Sequence, residues 1–321
     1  MLSIIIPNRN GVGHIERLFP SLSSQTYRDF EVVLVDNASS DSSVEVAGSL
    51  LPYLRILRLP KNYGFAAACN KGADMARGEI LLFLNSDTEL DRRCLKFCVD
   101  SIDQHDGYGF FQPKILKLLH RDVIDGAGDL LPRDGRPVKR AEGAHASTQL
   151  DDRILSPCGA ASLWRRKVFF GLGGFEESFF AYLEDVDLGL RASISGIKGK
   201  LIPDAIVYHE GGGSAREGSF KTVSFDRPES VRWIARNKIW LWARCLPLPV
   251  IAACAPWMFA GFLKSALHHT FRSGARKEFR RGTMEGLAGL GKAFAAGKSI
   301  RKNSAISNRE ILNWMKRTSR L

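Results

Sequence analysis

Three carboxylates stand within four positions of the chain, Glu184-Asp185-Val-Asp187, directly after the aromatic run Phe179-Phe-Ala-Tyr-Leu183. Leu183, Val186, Leu188 and Leu190 mark the stretch as buried or half-buried. Charge is costly there unless the carboxylates have partners, a metal or a reaction to serve. Two readings fit these residues. One is a helix N-terminus, where the dipole favours acidic side chains and Arg191 pairs back along the helix. The other is chemistry, with Asp185 as the general base for an incoming hydroxyl. A second cluster, Asn85-Ser86-Asp87, sets an amide and a carboxylate at the end of an apolar run. Hard divalent cations take such oxygen ligands, and Mg²⁺ usually fills its shell with water and substrate phosphates. His209 offers a nitrogen that Mg²⁺ or Mn²⁺ tolerates; a lone histidine at a strand end is also an ordinary structural residue. A metal among diphosphate oxygens would neutralise charge developing on a nucleotide leaving group.

These groups need buried elements to position them. Residues 2–6 are a β-branched apolar run stopped by Pro7-Asn8-Arg9-Asn10-Gly11, a strand and a turn. A helix is expected over 12–24, with Ile15, Leu18, Phe19 and Leu22 at helical spacing. Strands follow at 31–36, 54–59 and 79–84. A capping box from Ser42 to Glu45 opens the second helix, and a third runs from the Asn62-Tyr-Gly64-Phe65 turn to near Gly78. Strands alternating with helices at this spacing predict a Rossmann-like α/β fold, its mostly parallel central sheet covered by helices on both faces. Ligands bind beyond the carboxyl ends of such strands, where Asn8, Arg9, Asp36, Asn85 and Asp87 all fall. Asp36 suits a ribose or base partner, or is a plain turn former. The first βα turn lacks GxGxxG, so a dinucleotide fingerprint is absent. Beyond Asp87 the pattern predicts a helix over 92–104 and a strand over 109–114. A hairpin with a loop over 121–150 and strands over 156–164 and 200–208 complete it. His209-Glu210-Gly211-Gly212-Gly213-Ser214 is either a backbone able to approach a phosphate or a flexible loop.

With 321 residues, 45% hydrophobic and 25% charged, the chain has an ordinary globular balance. The first residues lack a basic n-region and are too short for an h-region, so no signal peptide is expected. Six cysteines without a CxxC pair predict free thiols in a reducing cytoplasm. The net charge of +12 is uneven: residues 1–230 hold 28 Lys and Arg against 31 Asp and Glu, whereas residues 231–321 hold 18 against 3. A basic end of this kind suits nucleic acid or anionic lipid.

Six segments in order now bear on the family: Ile4-Ile-Ile-Pro7-Asn-Arg-Asn10, Val32-Val-Leu-Val-Asp36-Asn-Ala-Ser-Ser-Asp41, Asn62-Tyr-Gly-Phe-Ala-Ala67, Leu82-Phe-Leu-Asn85-Ser-Asp87, Gly173-Gly-Phe-Glu-Glu-Ser-Phe-Phe180 and Tyr182-Leu-Glu-Asp185-Val-Asp187. As a set, covering about residues 1–215, the chain resembles family 2 glycosyltransferases with the GT-A fold, especially their rhamnosyltransferase-like bacterial branch. The resemblance implies that Pro7, Arg9, Asp36 and Asn62 line the nucleotide-sugar pocket, joined by Lys71, Asn85 and Ser86. Asn85-Ser-Asp87 stands at the family's Asp-x-Asp metal motif, which makes Asp87 the surest ligand of a divalent Mg²⁺ or Mn²⁺. Asn85 departs from the first aspartate and removes a charge. His209 matches a metal-ligand histidine of some members. Glu184-Asp185 matches the acidic pair, with Asp185 as base and Glu184 binding the acceptor or shaping the site; Asp187 is left a structural role beside a basic group. The implied reaction is inverting transfer of a sugar, rhamnose among the candidates, from a dTDP-, UDP- or GDP-linked donor to a hydroxyl of a glycan or lipid-linked acceptor in cell-surface polysaccharide synthesis.

From Val231 the character changes, and the expected division is a glycosyltransferase domain over 1–225 and a basic, apolar helical segment over 226–321. Trp233, Trp240 and Trp242 interleave with Arg236 and Lys238, and residues 245–263 run 19 positions without a charge. That length barely spans a bilayer, and Pro247, Pro249 and Pro256 argue against one straight helix. The expectation is an interfacial or re-entrant element on an anionic membrane surface, at the cytoplasmic side of the inner membrane. The alternatives are a true span, a soluble appendage or a homo-oligomer interface. The uncharged run argues against nucleic acid. Competing functions are a GT-A scaffold with a decayed site and a nucleotidyltransferase. The retained acidic groups oppose the first; the missing basic Gly-rich pyrophosphate loop opposes the second.

Overall fold

The computed structural model describes residues 1–211, 228–270 and 273–317. The apolar runs form strands buried on both sides. β1 (Leu2–Asn8), β2 (Phe30–Asp36), β3 (Arg55–Arg58) and β4 (Ile80–Leu84) lie parallel in the order β3-β2-β1-β4. Ile4, Ile6, Val32, Leu34, Leu82 and Leu84 enter one core layer; Ile5, Val33, Val35, Leu81 and Phe83 enter the other. Alternate side chains point to opposite faces, and both faces are covered, so the strands read as unbroken apolar runs. Helices α1 (Val12–Ser23), α2 (Ser43–Leu50) and α4 (Cys94–Asp103) cover the first layer. Helices α3 (Phe65–Met75), α5 (Arg166–Gly171) and α6 (Glu184–Ile194) cover the second.

The sheet continues through β6 (Tyr108–Lys117), β10 (Arg153–Ile154), β11 (Ala161–Arg165) and β12 (Lys198–His209) in the order β4-β11-β6-β12-β10. β11 runs antiparallel to both β4 and β6, while β6 and β12 are parallel to each other. The carboxyl ends of β1, β2, β4 and β12 therefore share one rim. Two short strands extend it: β5 (Thr88–Leu90) pairs with the end of β12, and β7 (Ile124–Gly126) pairs with β6. Beside them β8 (Asp129–Leu130) and β9 (Val138–Lys139) form a separate hairpin.

Local expectations differ from the structure in several places. The strand expected over 156–164 starts only at Ala161, because residues before it turn to meet α6. The Ser42 side chain makes no capping bond; Asp41 accepts from the Ser43 amide (3.2 Å) and from Val12 N of α1 (3.1 Å), so one carboxylate ties two helix starts together. α3 ends at Met75, before Gly78. Gly78 serves a close approach instead: a Cβ there would lie 2.7 Å from the Ser3 hydroxyl and 2.8 Å from the Met1 carbonyl.

The basic end forms α7 (Pro228–Cys245), α8 (Leu248–Thr270), α9 (Ser273–Ala288), α10 (Leu290–Ala296), α11 (Lys298–Lys302) and α12 (Asn308–Arg317). The prolines do not break α8. Pro247 precedes it and Pro249 lies in its first turn, where an amide hydrogen is dispensable; Pro256 is carried inside it. A third core joins Leu241, Val250, Cys254, Met258, Ile311 and Met315 of these helices to Phe179, Val186, Leu190 and Leu131. Among the described residues one helix, over Leu248–His269, is long and apolar enough to cross a membrane. The expected boundary at 225–226 and Gly212–Ser214 of the glycine-rich loop lie outside the described residues.

Candidate functional site

At the rim end of β1, Asn8 is buried and donates from Nδ2 to the Ser43 (2.9 Å) and Ser39 (3.3 Å) hydroxyls, while its Oδ1 is buried without a partner. Pro7 is half-buried and Arg9 exposed beside it. Across the β1–β2 ladder, Asp36 is the register partner of Asn8; it is buried and accepts from Ser39 N (3.1 Å). The next residue does work that the sequence did not signal. Asn37 accepts from Tyr63 N (2.8 Å) and donates to Asn62 Oδ1 (2.9 Å) and the Gly64 carbonyl (3.1 Å). It thereby fixes Asn62 and Tyr63 beside Asp36. Lys71 reaches the same place, its ammonium 5.5 Å from the Tyr63 ring centre, with Lys61 at 5.0 Å. The four positions Asp36, Asn62, Tyr63 and Lys71 thus cluster on one side of the rim. Asn85 and Ser86 follow β4, and both are half-buried.

The pairing of β5 with β12 places Thr88 opposite His209 and so brings Asp87 to the histidine. His209 is buried; its Nε2 lies 3.4 Å from Asp87 Oδ1 and its Nδ1 2.9 Å from Asp125 Oδ2. Burial is the largest influence on the imidazole and lowers its pKa, but Asp87 and Asp125 together carry it up to about 9. Burial likewise raises the Asp87 carboxyl, and the His209 charge overrides it to leave Asp87 below the usual range. Asp125 also accepts from Lys139 Nζ (2.7 Å), and these contacts outweigh its desolvation to hold it far below the usual carboxylate range.

The donor set fits a hard divalent cation. A carboxylate oxygen and an imidazole nitrogen face one another, and the other imidazole nitrogen is oriented by a second carboxylate, the arrangement of metal-bound histidines. Asp125 was missed in the sequence because it lies in the 121–150 segment, where no motif or spacing marks it.

Asp185, at the start of α6, is held by two amides. Gly159 N donates to its Oδ2 (2.7 Å) and Val186 N to its Oδ1 (2.8 Å). A Cβ at position 159 would lie 2.8 Å from that same oxygen, so only glycine lets the amide come this close. Burial raises the Asp185 pKa, and the two amides oppose the rise without cancelling it. A ligand atom of Asp129, one of Cys158 and one of Asp185 lie within 4.8 Å of one another. Burial, and then the Asp185 charge, push Asp129 well above the usual range. Of this pair Asp129 is raised the further, because two amides donate to the Asp185 carboxylate and oppose its rise. Asp129 pairs across the hairpin with Lys139, which also holds Asp125. Lys139 therefore links the histidine cluster to the acidic cluster. Asp129 too went unmarked in the sequence.

The other two acidic residues divide as the sequence expected for one of them. Asp187 is fully buried and paired, its Oδ2 with Arg191 Nε (2.7 Å) and its Oδ1 with Arg244 Nε (2.9 Å) from α7. Glu184 is buried with Oε2 unpartnered, and burial followed by the Asp185 charge raises it well above the usual range.

The loop leading into α6 is strained. Phe180, Tyr182 and Leu183 have φ of 65°, 70° and 69°, a left-handed region that such side chains rarely adopt. Gly64 makes room for it, since a Cβ there would lie 2.4 Å from the Phe180 carbonyl. What holds the strain is α7: the buried Asn237 carboxamide donates to the carbonyls of Phe179 (2.9 Å), Ala181 (2.9 Å) and Tyr182 (2.8 Å).

Residues 3–122 match the family model described as "Glycosyl transferase family 2". The chain is 26% identical over 300 residues, 84% of its own length and 92% of the relative's, to the N-acetylglucosaminyl-diphospho-decaprenol L-rhamnosyltransferase of Mycobacterium tuberculosis. Among solved structures it is similar to residues 1–349 of TarS from S. aureus in complex with UDP-GlcNAc (TM-score 0.51, 20% identity, 90% of this chain and 92% of that one). It is also similar to the mannosyltransferase PcManGT from Pyrobaculum calidifontis in complex with GDP-Man and Mn²⁺ (TM-score 0.53, 16% identity, 92% of this chain and 86% of that one).

Proposed function

We propose, from the match of residues 3–122 to glycosyl transferase family 2 and the likeness of the fold to GT-A enzymes, an inverting, metal-dependent transfer of a hexose, rhamnose by likeness, to a lipid-linked glycan. The observation that carries this reading is the pairing on one rim of an amide-held aspartate with a carboxylate–histidine–carboxylate set.

In this reading Asp36, Asn62 and Tyr63 take the nucleoside, while Arg9 and Lys71 offer positive charge to the donor's phosphates and Pro7 and Ser86 shape the floor. Asp87 and His209 would hold the metal, which supplies charge neutralisation at the departing diphosphate. Asn85 in place of a carboxylate leaves Asp87 as the acidic ligand of that motif. Asp185 takes the proton from the acceptor hydroxyl as that oxygen bonds to the anomeric carbon and the nucleoside diphosphate leaves from the opposite face. One displacement of this kind inverts the anomeric centre. Asp129, protonated beside it, leaves the negative charge on the base. Glu184 shapes the floor under that pair.

The lipid-linked acceptor is supported by the surface of the terminal helices and by the relative's diphospho-decaprenol substrate. Trp257, Phe259, Leu263 and Leu267 of α8 and Met284 and Leu287 of α9 are all exposed, between 46% and 70%. They stand among lysines and arginines that give residues 231–321 their excess charge. α8 buries its opposite side against α12 and Leu131, so the reading is a helix lying in the interface at the cytoplasmic face of the membrane, not a span.

The test is nucleotide release from dTDP-, UDP- and GDP-sugars, with Mn²⁺ or EDTA, in the presence of prenyl-diphosphate-linked sugar acceptors. The expected result is acceptor-dependent release with one donor class, abolished by EDTA. Release that persists in EDTA would remove the metal from the reaction, and no release with any donor would favour a scaffold.

A further inference from the structure

After Leu130, the last residue of β8, the chain turns between α7 and α8. Leu131 anchors this turn in the same core as Val186, next to the base. The Gly135 carbonyl accepts from Trp242 Nε1 (2.7 Å), and a Cβ on Gly261 of α8 would lie 2.9 Å from the Asp134 Cβ. Cations gather at the seam. Lys238 of α7 is 95% buried, its relative exposure being 5%, and its ammonium makes no hydrogen bond or ion pair among the described residues. It sits over two rings instead, 5.6 Å from the Trp242 centre and 5.9 Å from that of Phe262. Arg133 stacks at 4.7 Å over Trp257, and its Nε is buried without a partner. Arg136 is paired with Asp134 (2.6 Å), and that pair faces Lys238.

An unpaired buried ammonium is expensive. Burial, followed by the Arg136 charge, lowers the Lys238 pKa to about 8, with only Asp134 opposing. Nothing in the fold needs a lysine there, since a methionine would fill the same stem between the rings. Two cations with open donors in one aromatic seam are instead what an oxyanion with several charges selects. The seam also has two informative neighbours. Asn237, one residue before Lys238, holds the loop that carries Asp185. Trp257 leads out to the exposed apolar face of α8.

Building on the lipid-linked acceptor reading, we infer that Arg133 and Lys238 bind the diphosphate of the acceptor, between the catalytic rim and the lipid-facing side of α8. The acceptor sugar then reaches Asp185 from one side of the seam while the prenyl chain leaves past Trp257 on the other. The same phosphate chemistry could come from a bilayer phospholipid, so the test separates the two sources.

Calorimetric titration of the full chain, with nucleoside diphosphate and Mn²⁺ already bound so that the donor site is filled, compares farnesyl diphosphate, inorganic pyrophosphate, farnesol and phosphatidylglycerol vesicles. Lys238→Met keeps the buried stem, and Arg133 is half-exposed, so Lys238→Met and Arg133→Gln test charge without emptying the core. Each should weaken farnesyl diphosphate about tenfold or more and weaken pyrophosphate in parallel, with farnesol indifferent to both. Equal farnesyl diphosphate affinity in the wild type and both variants overturns the site. Vesicle binding that drops in these variants as farnesyl diphosphate binding does overturns the assignment to the acceptor. Transfer assays keep the underlying reading separate. If lipid-linked acceptors are used with the same KM by all three proteins, the site falls and that reading stands. If only lipid-free glycans are glycosylated while the charge variants still lose farnesyl diphosphate, the site stands and that reading falls.

Discussion

Asn237 lies on α7, far along the chain from the acidic stretch, yet its carboxamide sets the backbone from which Asp185 projects. It is fully buried and offers two hydrogens to three carbonyls, those of Phe179, Ala181 and Tyr182. Arg236 adds donors to the carbonyls of Ser178 (3.1 Å) and Phe179 (2.8 Å). Asn237→Leu keeps the volume and removes both hydrogens. At least two buried carbonyls then lose their donor, at about 1–3 kcal/mol each, or about 2–6 kcal/mol together. Relaxing the three left-handed residues returns part of the strain they hold, about 1–3 kcal/mol apiece. The net loss is therefore set near the lower end, about 2–3 kcal/mol. With a urea m-value of about 3 kcal/mol/M, the unfolding midpoint falls by about 1 M. Transfer suffers more than stability, because a base displaced by about 1 Å costs on the order of a hundredfold in rate. Nucleotide binding, which the proposed function assigns to Asp36 and Asn62 on other elements, should stay at the wild-type value by titration. A midpoint within about 0.2 M of wild type, together with unchanged turnover, would refute the clamp.

Asp185→Asn removes the base without changing shape; transfer should drop by about 10²–10⁴ or more while nucleotide affinity holds, and normal turnover would reassign the role. Asp87→Ala should abolish the difference between nucleotide-sugar titrations in Mn²⁺ and in EDTA; identical metal dependence in the variant would sink the ligand assignment. Glu184 gives a pH signature. Burial and Asp185 hold its carboxyl well above the usual range, so the folded chain keeps a proton that the unfolded chain releases above about pH 4.3. Wild-type stability is therefore lost as pH rises through the unfolded value towards the folded one. Glu184→Gln lacks that loss, and its urea midpoint should gain on the wild type between about pH 4 and about pH 7; an advantage that shrank over this range would mean that Glu184 is ionised in the folded protein.

The unbroken apolar runs at β1, β2 and β4 determined much by themselves. A strand with no polar face must be covered on both sides, and polar residues that end such strands must collect on one rim. Asp36, Asp87 and His209 were legible for that reason, and Asp187 was legible as an acid needing a base. Other features came only from the tertiary structure. That β11 runs antiparallel between β4 and β6 cannot be read from its composition, since a buried strand looks alike in either direction. Asp125 and Asp129 lie in a segment whose glycines and charges suggest only turns; they enter the site because β7 joins β6 and β8 pairs with β9. Glu184, Asp185 and Asp187 depend on the tertiary structure in the same way. All three sit in the first turn of a helix, and the dipole acts on each alike. Their different states follow from what reaches them across the fold: two arginines at Asp187, two amides at Asp185, and no partner at the buried Glu184 Oε2. Spacing along a chain fixes which groups share a helix face, but the partners that charge, neutralise or orient them come from distant residues, and only the packed molecule brings those together.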